Sequence, residues 1–238
     1  TEPTPVIVLS SGSLEPGQQA TISLNVTAFP RELNDPMNLL TVTFVPSTSG
    51  APMDPAVQFA TGGRQVSFVI RANATTAEFQ GLSGPLGFQA GTVAGTLTFR
   101  MTFRNKAGQI KTATAIANVA RRPPTVTRVA ATKNTDGFET AITLHSSPRE
   151  VATLRLHFNL AQQVRMSCGN IPGCTVFGTI VTFNVSSLFS DWYAGNNDHG
   201  TLAMIRIPFL LDSSIKGTVL ISTSNAMGSS NVMTLQLP

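Results

Sequence analysis

The side chains of this 238-residue chain that could do chemistry are few and unevenly placed. The densest group is Asp191-Trp192-Tyr193-Ala194-Gly195-Asn196-Asn197-Asp198-His199, which contains the single Trp and the single Tyr of the sequence. Asp191, Asn196, Asn197 and Asp198 could gather around calcium, a cation that takes several hard oxygen ligands. Alternatively, Trp192, Tyr193 and His199 could present an aromatic contact surface to a sugar or a peptide. The plainer reading outweighs both: a lone Trp in a β-rich protein packs on the core, and Asn-Asn-Asp after Gly is ordinary turn chemistry.

Cys168 and Cys174 are the only cysteines, and Gly-Asn-Ile-Pro-Gly lies between them. A loop so short and so rich in Gly and Pro can bring two sulfurs within bonding range, so a disulfide is expected. Such a bridge would contribute about 2 kcal/mol and would fit an oxidising compartment. A metal pair would need further His or Cys nearby, and a redox role would prefer Cys-x-x-Cys at a helix start.

His145, His157 and His199 all fall in the second half, and the first half has neither His nor Cys. Gly-x-Ser-x-Gly elbows, His-Glu-x-x-His helices and Walker loops are missing throughout, so no catalytic residue is assigned and the chain is read as non-enzymatic. The Thr61-Gly62-Gly63-Arg64 stretch reads as a hairpin turn rather than a phosphate loop, because no helical pattern follows it. Sequons occur at Asn25, Asn73 and Asn184, of which Asn25 and Asn184 fall in expected strands, and nothing functional is read from them.

Composition narrows the partners. A pI of about 9.6 suggests nucleic acid, yet the formal net charge is only +4. The bases are dispersed, nine Lys/Arg against six acids over residues 1–122 and seven against six over 123–238, with no run longer than Arg121-Arg122. Aromatic residues do not interleave with them, so a nucleic-acid partner is not expected. Charged residues make up 12% of the chain, and hydroxyls rather than ions supply its polarity, as in many β-rich extracellular domains. No apolar window is long enough to span a membrane as a helix. Residues 1–10 lack the basic and apolar regions of a signal peptide and read as a mature terminus or an arbitrary boundary.

The elements that would position these groups are strands. Val93, Gly95, Leu97, Phe99, Met101 and Phe103 alternate with Thr96, Thr98, Arg100 and Thr102, the period of a half-buried strand. Similar segments fall at Pro5–Leu9, Ala20–Val26, Leu40–Phe44, Val66–Ile70 and Ile110–Val119, making about seven strands at the spacing of a sandwich. Arg121-Arg122-Pro123-Pro124 then interrupts pairing. Strand patterns resume at Thr125–Ala130, Ile142–Leu144, Ala152–Phe158, Phe177–Val185, Ala203–Leu211, Val219–Thr223 and Val232–Leu237. A short helix is expected at Ser187–Tyr193, capped by Ser186 or Ser187. The expected fold is therefore all-β: two tandem sandwiches, residues 1–122 and 123–238, with one short helix in the second.

Both halves close on a strand–turn–strand, Phe103-Arg-Asn-Lys-Ala-Gly108 in the first and Ser224-Asn-Ala-Met-Gly228 in the second. With Glu15-Pro-Gly-Gln-Gln-Ala-Thr-Ile-Ser-Leu24, Pro148-Arg149-Glu150-Val151 and Phe189-Ser-Asp-Trp-Tyr193, these stretches resemble the immunoglobulin-like β-sandwich modules of bacterial secreted and cell-surface proteins. The resemblance covers most of both halves and implies fold, with no residue-by-residue activity to carry over. It implies a secreted or surface location, extracellular or periplasmic, and a structural or adhesive role as spacer or binding element. Alternatives are a carbohydrate- or protein-recognition module using the loops near Trp192, and a periplasmic pilus-chaperone-like protein whose Arg121 and Arg122 grip a carboxylate. No cofactor is implied, calcium at Asp191–Asp198 excepted.

Overall fold

A computed structural model describes residues 5–48, 51, 53–80, 82–105, 107–160, 166–167, 175–176, 180–210 and 216–238. The chain divides into two compact units, Thr1–Ala120 and Arg121–Pro238.

In the first unit the strands are β1 (Val6–Leu9), β2 (Ser13–Leu14), β3 (Gln19–Asn25), β4 (Leu39–Pro46), β5 (Gln58–Phe59), β6 (Gln65–Val69), β7 (Glu78–Phe79), β8 (Leu82–Ser83), β9 (Leu86–Gln89), β10 (Gly95–Arg104) and β11 (Ile110–Val119). They form one sheet in the order β1-β3-β9-β5 and another in the order β2-β11-β10-β4-β6-β7-β8. The first strand segment pairs antiparallel with β3, after which the chain crosses so that β2 runs parallel to the last strand, β11. That sheet switch, with β10–β11 as the closing hairpin beside β4, is the strand order of an immunoglobulin-like sandwich.

Alternation determines what each strand buries. Leu97, Phe99, Met101 and Phe103 of β10 are buried, while Thr96, Thr98 and Thr102 are only partly covered and Arg100 is exposed. Phe99 sits at the centre, its ring 4.7 Å from Phe88 edge-on and 6.3 Å from Phe59. Rings from both sheets thus meet between the layers, where aromatic pairs contribute beyond their buried area.

The second unit comprises β12 (Thr125–Asn134), β13 (Gly137–His145), β14 (Thr153–Leu160), β15 (Met166–Ser167), β16 (Thr175–Val176), β17 (Ile180–Asn184), helix α1 (Ser186–Gly195), β18 (Leu202–Leu210), β19 (Gly217–Asn225), β20 (Gly228–Ser229) and β21 (Met233–Gln236). One sheet runs β12-β13-β18-β15-β16; the other runs β17-β14-β19-β20, with β21 also on β19. Its core has the same plan: Phe209 stacks on Phe138 at 5.1 Å and meets Phe158 edge-on at 5.8 Å.

Three expectations need correction. The Thr61-Gly62-Gly63-Arg64 turn does not join a hairpin, because β5 pairs with β9 in one sheet while β6 pairs with β4 in the other. The turn closes on itself through Gly62 N–H to Phe59 O and Phe59 N–H to Gly63 O, and carries the chain between layers. Helix α1 is longer than Ser187–Tyr193, and neither Ser186 nor Ser187 caps it. Its leading residue is Val185, and the polar lead-in comes from Asn184, whose Oδ1 accepts the Ser186 N–H at 3.0 Å. The first unit has more strands than expected, since β2, β5, β7 and β8 are two-residue pairings too short to show a period, and β9 is broken up by Gly87.

Candidate functional site

Helix α1 leaves β17 and returns to β18 through the short 3-10 turn Asn197–His199, so Asp191–His199 sits between the two sheets' strands. Phe189 and Tyr193, one turn apart, are the buried positions that anchor the helix to the core. The Tyr193 hydroxyl donates to Thr201 O at 2.8 Å, and burial pushes its pKa well up from the ordinary value, partly offset by the nearby Arg149 cation. Trp192 is half-buried against the same core, edge-on to Tyr193 and to His199, with both ring pairs 5.5 Å apart.

Of the residues proposed as ligand contacts, the structure therefore brings Trp192, Tyr193 and His199 into one aromatic row. Tyr193 is only 5% exposed, so the surface left open to solvent is formed by Trp192 and His199. The oxygen-bearing residues are less gathered. Asn196 turns its Nδ2 back to Trp192 O at 2.8 Å, and Asp198 Oδ1 lies 3.7 Å from His199 Nε2. Among the described residues no group of three or more His, Cys, Asp or Glu side chains is placed to hold a metal ion. Cys168 and Cys174 lie outside the described residues.

What holds this corner is Arg149, whose role the sequence did not announce. It is 5% exposed, and its Nη2 donates to the Tyr193 carbonyl at 3.1 Å and to the Asn196 carbonyl at 3.2 Å. Those are the carboxyl-end carbonyls that a helix leaves unmatched, and a cation there also opposes the negative end of the helix dipole. The guanidinium lies 4.9 Å from the Tyr193 ring centroid, so one side chain joins the helix end to the aromatic row. Arg149 reaches this place from a turn in which its φ is +57°, a conformation that non-glycine residues seldom adopt. The signal in the sequence was the Ser-Ser-Pro148-Arg149 turn itself.

The chain matches no protein-family model and no curated protein. Solved structures with a similar backbone exist. The adhesin InvE of Yersinia pseudotuberculosis shares 12% identity with a TM-score of 0.38, over 99% of this chain and 60% of that one. A segment of two fibronectin type III domains from chicken tenascin shares 13% identity with a TM-score of 0.31, covering 100% and 99%. The C-terminal domain of the Streptococcus agalactiae AgI/II polypeptide BspA shares 7% identity with a TM-score of 0.25, covering 98% and 100%. This chain thus spans under two thirds of the Yersinia adhesin's length.

The first unit has its own buried ionisable group. Asp54 is 2% exposed and joins the loop before β5 to the loop before β10. Its Oδ2 accepts from Thr92 N–H at 2.6 Å, Val93 N–H at 2.8 Å and Thr92 Oγ1 at 3.1 Å, and its Oδ1 accepts from Ala56 N–H at 2.9 Å. Gly91 makes the approach possible: its φ is +82°, and a Cβ there would lie 2.8 Å from both Asp54 Oδ2 and Val57 Cγ2. Arg64 closes the same loop by donating to Asp54 O at 2.6 Å and Val57 O at 3.0 Å.

The basic pair Arg121-Arg122 was a candidate for gripping a partner's carboxylate. Arg121 pairs with Glu150 at 2.5 Å. Among the described residues no helix is long and apolar enough to cross a membrane.

Proposed function

We propose that the chain is a non-enzymatic structural or adhesive module of an exported bacterial protein. The observation that supports this is where the buried charges go. Asp54 and Arg149 each bind main-chain groups of their own unit, so the ionised side chains that are withdrawn from water stabilise loops and a helix end. A hydrolytic or transfer site would instead aim such groups at a cleft where a substrate atom can sit. A surface built from hydroxyls and amides over two aromatic cores suits a protein that spaces or presents binding faces outside the cell.

A second reading is favoured by one observation: Trp192 and His199 form the exposed end of an aromatic row, as a recognition loop would. Protease treatment of intact source cells tests the main proposal. It expects the protein to be degraded without lysis, or released with the periplasmic fraction; retention in the cytosol would overturn it. A glycan and protein array run with Trp192→Ala in parallel tests the second reading, which requires that a hit be lost in the variant.

A further inference from the structure

We infer that the outer face of the β3-β9-β5 sheet is a binding site for a neutral glycan, built on a cross-strand row of three glutamines. The inference rests on the adhesive half of the function proposed above and assigns it a place in the first unit.

Register puts the row together. Gln19 of β3 pairs with Gln89 of β9, and Gln89 pairs with Gln58 of β5, so the three side chains stand side by side. Their neighbours Phe59 and Phe88 point inward and are buried, which directs the glutamines outward by the strand period. The next row is nearly bare: Thr21 pairs with Gly87, and Gly87 O accepts the Ala60 N–H. A Cβ on Gly87 would already lie 3.3 Å from the Ala60 Cβ, so any larger residue would fill the depression. The result is an open cleft of about 340 Å³, with the glutamines along one side and Gly62 at the turn beyond.

The lining chemistry selects the ligand. Among the described residues no Asp, Glu, Lys or Arg borders the cleft, which disfavours ions of either sign. Each glutamine offers an acceptor oxygen and two N–H donors, and among the described residues none of these three amides has a side-chain hydrogen bond within the protein. Adjacent sugar hydroxyls both donate and accept, so a ring laid along the row matches amide after amide. An extended peptide would need a free strand edge, whereas β9 has both edges paired and β5, the terminal strand of this sheet, is only two residues long. The cleft therefore lies across the sheet's face rather than along an edge that a peptide strand could extend. The row spans two strand spacings, about 9.5 Å, the reach of a short oligosaccharide rather than of a fibre surface.

The test is an amide NMR titration of the intact chain with cellotetraose, mannotetraose and chitotetraose, with tetragalacturonate as the anionic control and a proline-free decapeptide as the peptide control. At least one neutral tetrasaccharide is expected to shift the side-chain amide signals of Gln19, Gln58 and Gln89. The double variant Gln19→Ala/Gln58→Ala, at the two exposed ends of the row, is expected to keep the wild-type melting temperature and weaken binding by about tenfold or more, since two hydrogen bonds are lost. Trp192→Ala is expected to bind as the parent does. The inference is overturned if none of the neutral sugars moves these signals, if the double variant binds equally well, or if only the peptide or the anionic sugar binds. Sugar binding abolished by Trp192→Ala would also overturn it while leaving the adhesive reading in place, and surface exposure in the protease experiment decides that reading independently.

Discussion

Truncating Asp54 to Ala would leave the buried Val93 N–H and the partly buried N–H groups of Thr92 and Ala56 without this acceptor. Hydrogen bonds to a charged group and a stranded buried donor together put the expected loss at about 3 kcal/mol of first-unit stability, read from urea unfolding. Gly91→Ala should act in the same direction, because the left-handed backbone and the 2.8 Å approach to Asp54 both penalise a side chain. In the second unit, Arg149→Ala should loosen the end of helix α1 and shift the emission of the only tryptophan to the red, as Trp192 loses its ordered neighbours. Tyr193 makes a pH-dependent contribution of definite sign. Its pKa is raised in the folded state, so above the ordinary value of 10.0 the unfolded chain releases a proton that the folded chain keeps. Stability is therefore expected to be unaffected by this group below about pH 9 and to fall as pH rises through 10 and beyond. Tyr193→Phe should remove that slope in denaturation midpoints measured across the range. Neither Asp54 nor Arg149 was legible as a keystone before the fold was known. Both act on main-chain atoms of loops whose partners are distant in sequence, and neither periodicity nor spacing reports such contacts.

At the scale of elements, the long strands were readable because one face is apolar and the other hydroxylated. β10 and β14 bury every second residue, and a one-residue slip would put Thr and Arg into the core. The helix was readable from the spacing of Leu188, Phe189 and Trp192, but the face it buries is Phe189 and Tyr193, and Leu188 is exposed. What escaped were pairings of two residues, such as β2 and β5, which have no period, and the sheet assignment of β5 and β6, which turn chemistry alone cannot give. A side-chain pairing also stands in for a strand: Asn231 accepts the Val126 N–H through Oδ1 and donates through Nδ2 to Val126 O, both at 2.9 Å, a bridge that completes the start of β12. Asn231→Ala should cost about 1–2 kcal/mol in the second unit, measured by thermal unfolding, while Asn231→Asp should keep the acceptor and lose the donor.

At the scale of the molecule, each unit has its own buried aromatic centre, Phe99 in one and Phe209 in the other. Phe99→Ala should lower first-unit stability by about 3–5 kcal/mol and leave the unfolding of the second unit unchanged, a separation visible by calorimetry. The functional proposals depend on this arrangement, since a spacer or binding module needs self-contained cores and the glutamine cleft needs only the first. The most direct test is to express residues 1–120 and 121–238 separately and record the far-ultraviolet circular dichroism and thermal unfolding of each. Two β-type spectra with cooperative transitions are expected. A piece that stays unfolded until the other is added would contradict the account, because its core would then belong to both.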